Sequence, residues 1–330
     1  MSLATARTVD IHAHAVLPGV LGKAGTYGPE LTADAEGTPV FRIGDYRLRG
    51  VKYANSPFMD PELRIAAMDR CGIDWQLLSP NPLTYFHYIP AEDAVPFNRA
   101  HNDMMAELVA RYPDRLGGTA ALPMQDIDAA IVELERAVGE LGLLGAYIGT
   151  DFPTTLDDPR MDPFYETLVK LDVPLFLHPA PAGIDGPAAP PQMQRYELDI
   201  LYGFTGQETV AMATLLFGGV LHRHPGLDVC ISHGGGALAL IHGRLGQAIA
   251  RRKWVPDWLR EPGALDATLR RVWYDIHMND DRALDLLIER VGTDRLVYGT
   301  NFAGWDQPET VHVPDTPIDL AGNARRLLRA

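Results

Sequence analysis

Two histidines one residue apart give the first chemical signal in this chain. The segment Val9-Asp10-Ile11-His12-Ala13-His14 is apolar enough for a buried strand. Side chains two apart on a strand share a face, so His12 and His14 are expected to point together. Residues 174–178 end in His178, followed by Pro179, and residues 229–233 end in His233, followed by Gly234-Gly235-Gly236. The glycines remove side chains beside His233 and let the backbone turn sharply into the next element. Four imidazoles at the ends of three apolar runs suit a borderline divalent metal. Taken singly, a strand-end histidine is more often a satisfied polar residue than a ligand; the coincidence of all four carries the metal reading. His222 and His224 repeat the spacing, but they follow a helical stretch and precede the sixth run, which places them at the opposite end. The His-Gly-Gly-Gly run also suits a lipase-type oxyanion loop, but no Gly-x-Ser-x-Gly accompanies it.

The elements that must position these residues are short and regular. Apolar runs occupy residues 9–13, 75–79, 116–122, 144–149, 174–178, 229–233, 272–277 and 296–300. Amphipathic stretches between them cover 61–71 (Asp60 as N-cap, Pro61 at the first helical position), 100–111, 127–141, 163–171, 209–222, 237–251 and 282–291. Runs this short and apolar, separated by helices, are what a parallel sheet buried on both faces requires. The spacing predicts an α/β chain folded as one (β/α)8 TIM barrel, a single domain over residues 1–330. An open doubly wound sheet is the alternative, weakened because no Gly-x-Gly-x-x-Gly follows the first run. Two long loops interrupt the repeat, residues 17–57 after the first run and 179–200 after the fifth. Such loops usually form functional rims.

Composition narrows the function classes. Of 330 residues, 46% are hydrophobic and 22% charged, the profile of a globular chain with a large core. Lys and Arg number 29 against 43 Asp and Glu, a formal net charge of −14. That field disfavours nucleic acid and anionic membrane partners and leaves a small-molecule substrate. Cys71 and Cys230 form no Cys-x-x-Cys, and no membrane span or secretory leader is read, so a cytoplasmic enzyme is expected.

Taken together, these motifs resemble the amidohydrolase superfamily, in the branch typified by aminocarboxymuconate semialdehyde decarboxylase. The resemblance runs from Asp10-Ile11-His12-Ala13-His14 through Met68-Asp69-Arg70-Cys71-Gly72-Ile73-Asp74, Leu122-Pro123-Met124-Gln125-Asp126, His178-Pro179 and His233-Gly234-Gly235-Gly236 to Gly322-Asn323-Ala324. It implies one divalent metal, zinc first and manganese or iron as alternatives, held by His12, His14 and His178. His233 would orient water and act as acid/base. It also implies arginines that hold a substrate carboxylate. Arg244 matches one of them, and Arg49 matches the other loosely. In this branch the arginine that Arg244 matches typically crosses a dimer interface, so the resemblance implies a homodimer.

Two departures leave the chemistry open. The resembled enzymes end their eighth strand in a ligating aspartate, where this chain has Asn301, which offers a carbonyl oxygen but neither charge nor base. Asp306 lies five residues later as a substitute. Hydrolysis suffers from this loss more than decarboxylation does. The seventh run ends Trp273-Tyr274-Asp275-Ile276-His277, and His87 and His101 are expected on the same mouth. These extra imidazoles either contact substrate or build a second metal site centred on His277. The first reading is therefore a non-oxidative carbon–carbon lyase or related hydrolase of a small carboxylate. The alternatives are a nonheme iron monooxygenase, one- or two-metal, acting on an acyl-CoA, and a degenerate barrel that binds without turnover.

Overall fold

A computed structural model describes residues 2–302, 304 and 318–330. Its strands are β1 (Val9–Ala15), β2 (Glu30–Ala33), β3 (Pro39–Ile43), β4 (Tyr46–Arg49), β5 (Trp75–Pro80), β6 (Leu116–Gly118), β7 (Ala146–Gly149), β8 (Leu175–His178), β9 (Val229–Ile231), β10 (Trp273–Asp275) and β11 (Leu296–Val297). Each of the eight apolar runs becomes a parallel strand. β1, β5 and β6 form one sheet, and β7 to β11 form a second in consecutive order. Parallel bridges join the two at both edges, Ala120 to Ala146 and Ala13 to Phe302.

Both faces of these strands are buried. Ile11, Trp75, Leu77, Phe176, Cys230 and Trp273 belong to one cluster. Leu78, Ile148, Leu175, Leu177, Val229 and Ile231 belong to another, shared with helix residues such as Phe164 and Leu168. The pairing of β1 with β5 shifts register between Asp10 and Ala13. Such a bulge re-aims the side chains that follow it. Ile11 therefore joins the cluster that holds Phe176, while His12 and His14 meet His178, two residues beyond Phe176 on the same face.

The helix Pro61–Cys71 forms as expected, with the Asp60 carboxylate accepting from the Glu62 and Leu63 amides. Two helices differ from the sequence reading. The one expected from residue 100 begins at Ala91, because Pro96 removes one backbone donor without ending it. The one expected over 209–222 runs Gly203–Phe217 and stops at Gly218-Gly219, where Gly219 has φ +73°. Among the described residues, no helix is long and apolar enough to cross a membrane.

The segment 17–57 carries more structure than a loop. β2, β3 and β4 form an antiparallel sheet, with Ile43 opposite Tyr46 across a two-residue turn. Gly44 takes φ +54° there, the conformation a tight hairpin needs at its first central position. Phe41 and Ile43 are fully buried, so this small sheet is packed onto the body of the protein.

Candidate metal centre

The bulge in β1 and the end of β8 bring three imidazoles together. His12, His14 and His178 are buried, and one potential ligand atom from each lies within 4.8 Å of the others. Each ring is oriented through Nδ1. His12 Nδ1 donates to Asp275 Oδ2 at 2.7 Å. His14 Nδ1 lies 2.9 Å from Ser79 Oγ and 3.2 Å from the Pro80 carbonyl. His178 Nδ1 donates to the Pro179 carbonyl at 2.6 Å, with the Tyr85 hydroxyl 3.2 Å away. Clamping Nδ1 fixes the tautomer and directs coordination through Nε2. His178 Nε2 is buried with no hydrogen-bond partner among the described residues. Burial, with His14, His12 and His233 beside it, holds His178 well below the usual histidine range, and so neutral and fit to coordinate. A buried nitrogen with no hydrogen-bond partner among the described residues, at the meeting point of three imidazoles, fits a divalent cation.

His233 stands against this group, its ring centroid 5.1 Å from that of His12 and 5.3 Å from that of His178. Its φ of +47° follows β9 into the glycine turn, where a Cβ on Gly236 would come 2.2 Å from the Thr205 carbonyl oxygen. Its Nδ1 pairs with Glu208 Oε1 at 2.6 Å, and the Ser232 hydroxyl donates to the same oxygen. Glu208 is fully buried, and burial raises its pKa against the pull of His233. Asp275 ties the floor together. One of its oxygens takes His12 Nδ1, and the other takes the backbone amides of His233 at 2.8 Å and His277 at 3.1 Å.

A cavity of about 360 Å³ opens over the cluster, touching His14, His178 and Asn301. Its walls are mostly apolar, with Tyr46 and Leu48 of β4 among them. Asn301 has φ +48°, and the Phe302 amide donating to the His12 carbonyl holds it beside β1. A Cβ on Gly304 would come 2.4 Å from the Asn301 side chain, so only glycine lets the chain pass there.

The amidohydrolase family profile matches residues 9–329. The chain belongs to the amidohydrolase family. The 2-amino-3-carboxymuconate-6-semialdehyde decarboxylase of Dictyostelium discoideum is 32% identical over 247 residues, 74% of this chain and 66% of that protein. The chain thus spans just under two thirds of that relative's length. The gamma-resorcylate decarboxylase of Rhodococcus jostii is 31% identical over 265 residues, 73% of this chain and 76% of that protein. A solved 2,6-dihydroxybenzoate decarboxylase in complex with 2,6-dihydroxybenzoate superposes with a TM-score of 0.69 at 28% identity, covering 82% of this chain and 89% of that one. The expected resemblance holds, and the carboxy-lyase reading stands.

Of the other expected site residues among those described, His277 comes to the edge of the group and the rest do not reach it. His277 stands 6.0 Å from His12 and 5.7 Å from His233, ring to ring. His87 is turned away: it stacks on Tyr85, and its Nε2 accepts from the Gly149 amide at 3.0 Å. His101 is buried on the helix Ala91–Arg111 beside Phe97. Among the described residues, no second group of three His, Cys, Asp or Glu donors gathers, so the expected second site centred on His277 is not assembled. Arg49 alternates to the outer face of β4, where it pairs with Asp34, and does not line the cavity. Arg244 is exposed on the helix Leu238–Arg251 and does not line the cavity of its own chain. Asp306 lies outside the described residues. The sequence reading passed over Glu208 and Asp275 as candidates. Both left a signal: Glu208 is the one charge in its helix, and Asp275 is a carboxylate inside a buried strand.

Proposed function

We propose that this chain is a divalent-metal-dependent, non-oxidative carboxy-lyase acting on a carboxylated aromatic acid, with the eight parallel strands closing as one barrel domain over residues 1–330. The observation that carries this is the convergence of three Nδ1-clamped histidines, with His233 beside them, beneath an apolar cavity. Names of the relatives, both decarboxylases, point the same way. His12, His14 and His178 would hold the cation, assisted by the carbonyl oxygen of Asn301; this neutral nitrogen-rich set favours zinc. Bound there, the cation supplies polarisation of a substrate oxygen.

The protein's own groups account for the rest. Losing carbon dioxide from a carboxylate breaks a carbon–carbon bond, leaves the electron pair on carbon, and consumes one proton. The reaction therefore needs an acid and no base. Asn301, which cannot take a proton, is no handicap for it. His233 is the acid: Glu208 holds Nδ1, so Nε2 delivers the proton and regains it from solvent. The apolar walls hold the ring and keep water from the developing carbanion.

Zinc-loaded protein given a hydroxylated benzoate should release carbon dioxide without consuming dioxygen, and should stop when the metal is chelated. Dioxygen uptake coupled to turnover would put the oxygenase in its place.

A further inference from the structure

Among the described residues, the cavity is lined without a Lys or Arg side chain. Phe204 packs against His178 and His233, while one wall is made by Tyr46, Leu48, Val51 and Phe58. Its polar groups are neutral or acidic. The Asn81 side-chain amide donates to the Tyr53 hydroxyl at 3.2 Å, so these two largely satisfy each other. Glu197 places a carboxylate at the mouth. Asp199 and Glu197, added to burial, push the Tyr46 hydroxyl above its usual range, the sign of a negative local field. No Lys or Arg lines the cavity among the described residues. The two arginines expected to hold a carboxylate face elsewhere, Arg49 toward Asp34 and Arg244 toward solvent.

A substrate with a second carboxylate remote from the reacting one would have to strip it of water against Tyr46, Leu48 and Phe58, facing Glu197 and no counter-charge. That is costly. An apolar substituent at the same place gains from burial instead. We propose that this site selects an aromatic acid with a single carboxylate, seated at the histidine cluster, and an uncharged apolar group reaching the wall formed by Tyr46 and Leu48 of β4. This rests on the carboxy-lyase reading for the reacting end. The remote end rests on the cavity wall alone. Leu48 is the specificity-determining position, because strand alternation aims it inward between the outward Arg47 and Arg49.

Two probes separate the cases: salicylate bearing a propyl group para to its carboxylate, and salicylate bearing a second carboxylate there. Binding to the zinc-loaded full chain is measured by calorimetry, and turnover by carbon dioxide release. The propyl probe is expected to bind roughly tenfold or more tighter, as burying three methylene-sized groups implies. Leu48→Arg should shrink or reverse that ratio by tenfold, and Leu48→Met should keep it. Preference for the propyl probe without turnover would sustain the inference while removing the lyase reading. Turnover with preference for the dicarboxylate would overturn the inference while leaving the lyase in place. If that dicarboxylate preference vanished in Arg244→Gln, the missing cation would belong to a second copy of the chain, and the inference would also fall. Failure of the propyl probe to bind overturns it as well.

Discussion

At the floor of the cavity, His12, His14 and His178 each have Nδ1 held by a buried acceptor, and Asp275 links His12 to the backbone of His233 and His277. At its cover, Tyr46 and Leu48 reach the same cavity from a strand whose other side, Arg47 and Arg49, faces water. The floor has to hold donor atoms to within a fraction of an ångström, and directional hydrogen bonds in a dry interior do that. The cover has only to present volume and polarity, which strand alternation supplies. Changes at the floor should therefore alter what the site can hold and do. Changes at the cover should alter which molecule it prefers.

The largest effect is expected where the floor loses a ligand. His178→Ala removes one of three imidazoles, whose buried Nε2 has no hydrogen-bond partner among the described residues. Protein purified without added metal should lose its stoichiometric cation by elemental analysis, and activity should fall to background. Retention of a full equivalent would break the assignment of the floor as a metal site.

Next comes the proton-handling side. Glu208→Gln keeps size and leaves an amide against His233 Nδ1 and the Ser232 hydroxyl. Metal content should be unchanged. Positioned acid–base groups contribute roughly a hundredfold or more, so kcat should fall on the order of tenfold to a hundredfold with KM little altered. A variant with unchanged kcat and pH profile would make Glu208 a packing residue.

The division between floor and cover also explains what the sequence could reveal. His12, His14, His178 and His233 were legible because their positions are dictated by strand ends, which apolar runs mark directly. Asn301 was found through the resemblance, as an exception to it. The sheet formed by β2, β3 and β4 was read as a loop, since its glycines and prolines mask a pattern in which β3 buries Phe41 and Ile43. Glu208 comes to His233 only when a helix and a strand end, 25 residues apart, are packed together. Arg49 has the right residue type, but alternation on β4 sends it outward, and that register depends on where a hairpin turns.

His101 sharpens the comparison, since it was expected at the mouth and is buried in packing instead. Burial lowers its pKa from 6.5 to about 4, so the folded protein keeps it neutral while the unfolded chain protonates it. Its contribution to stability is intact above pH 6.5 and is lost as pH falls through that value toward 4. At pH 5 the loss is roughly 2 kcal/mol, from 1.4 kcal/mol per unit. His101→Leu should therefore be nearly neutral at pH 8, within about 1 kcal/mol. At pH 5 it should be more stable than the parent in urea titrations, with KM unchanged at both. A raised KM would return His101 to the substrate.

The smallest effect is expected at Arg49, and it is the strictest test of the cover. Its side chain is 63% exposed and pairs with Asp34, with Glu36 at 3.6 Å. Exposed pairs of this kind are screened by water and salt and contribute little. Leu48, one residue earlier, points the other way and lines the cavity. Arg49→Gln should leave kcat, KM and melting temperature within experimental error, whereas Leu48→Ala should raise KM for an apolar-substituted substrate several-fold, the effect of losing part of one buried side chain. The two positions share a strand, so a general disturbance of β4 would move both variants together. A split response would show that alternation alone separates a specificity residue from a surface one. A tenfold fall in kcat/KM for Arg49→Gln would mean that the guanidinium leaves Asp34 when substrate arrives, and that the cover holds charge as well as shape.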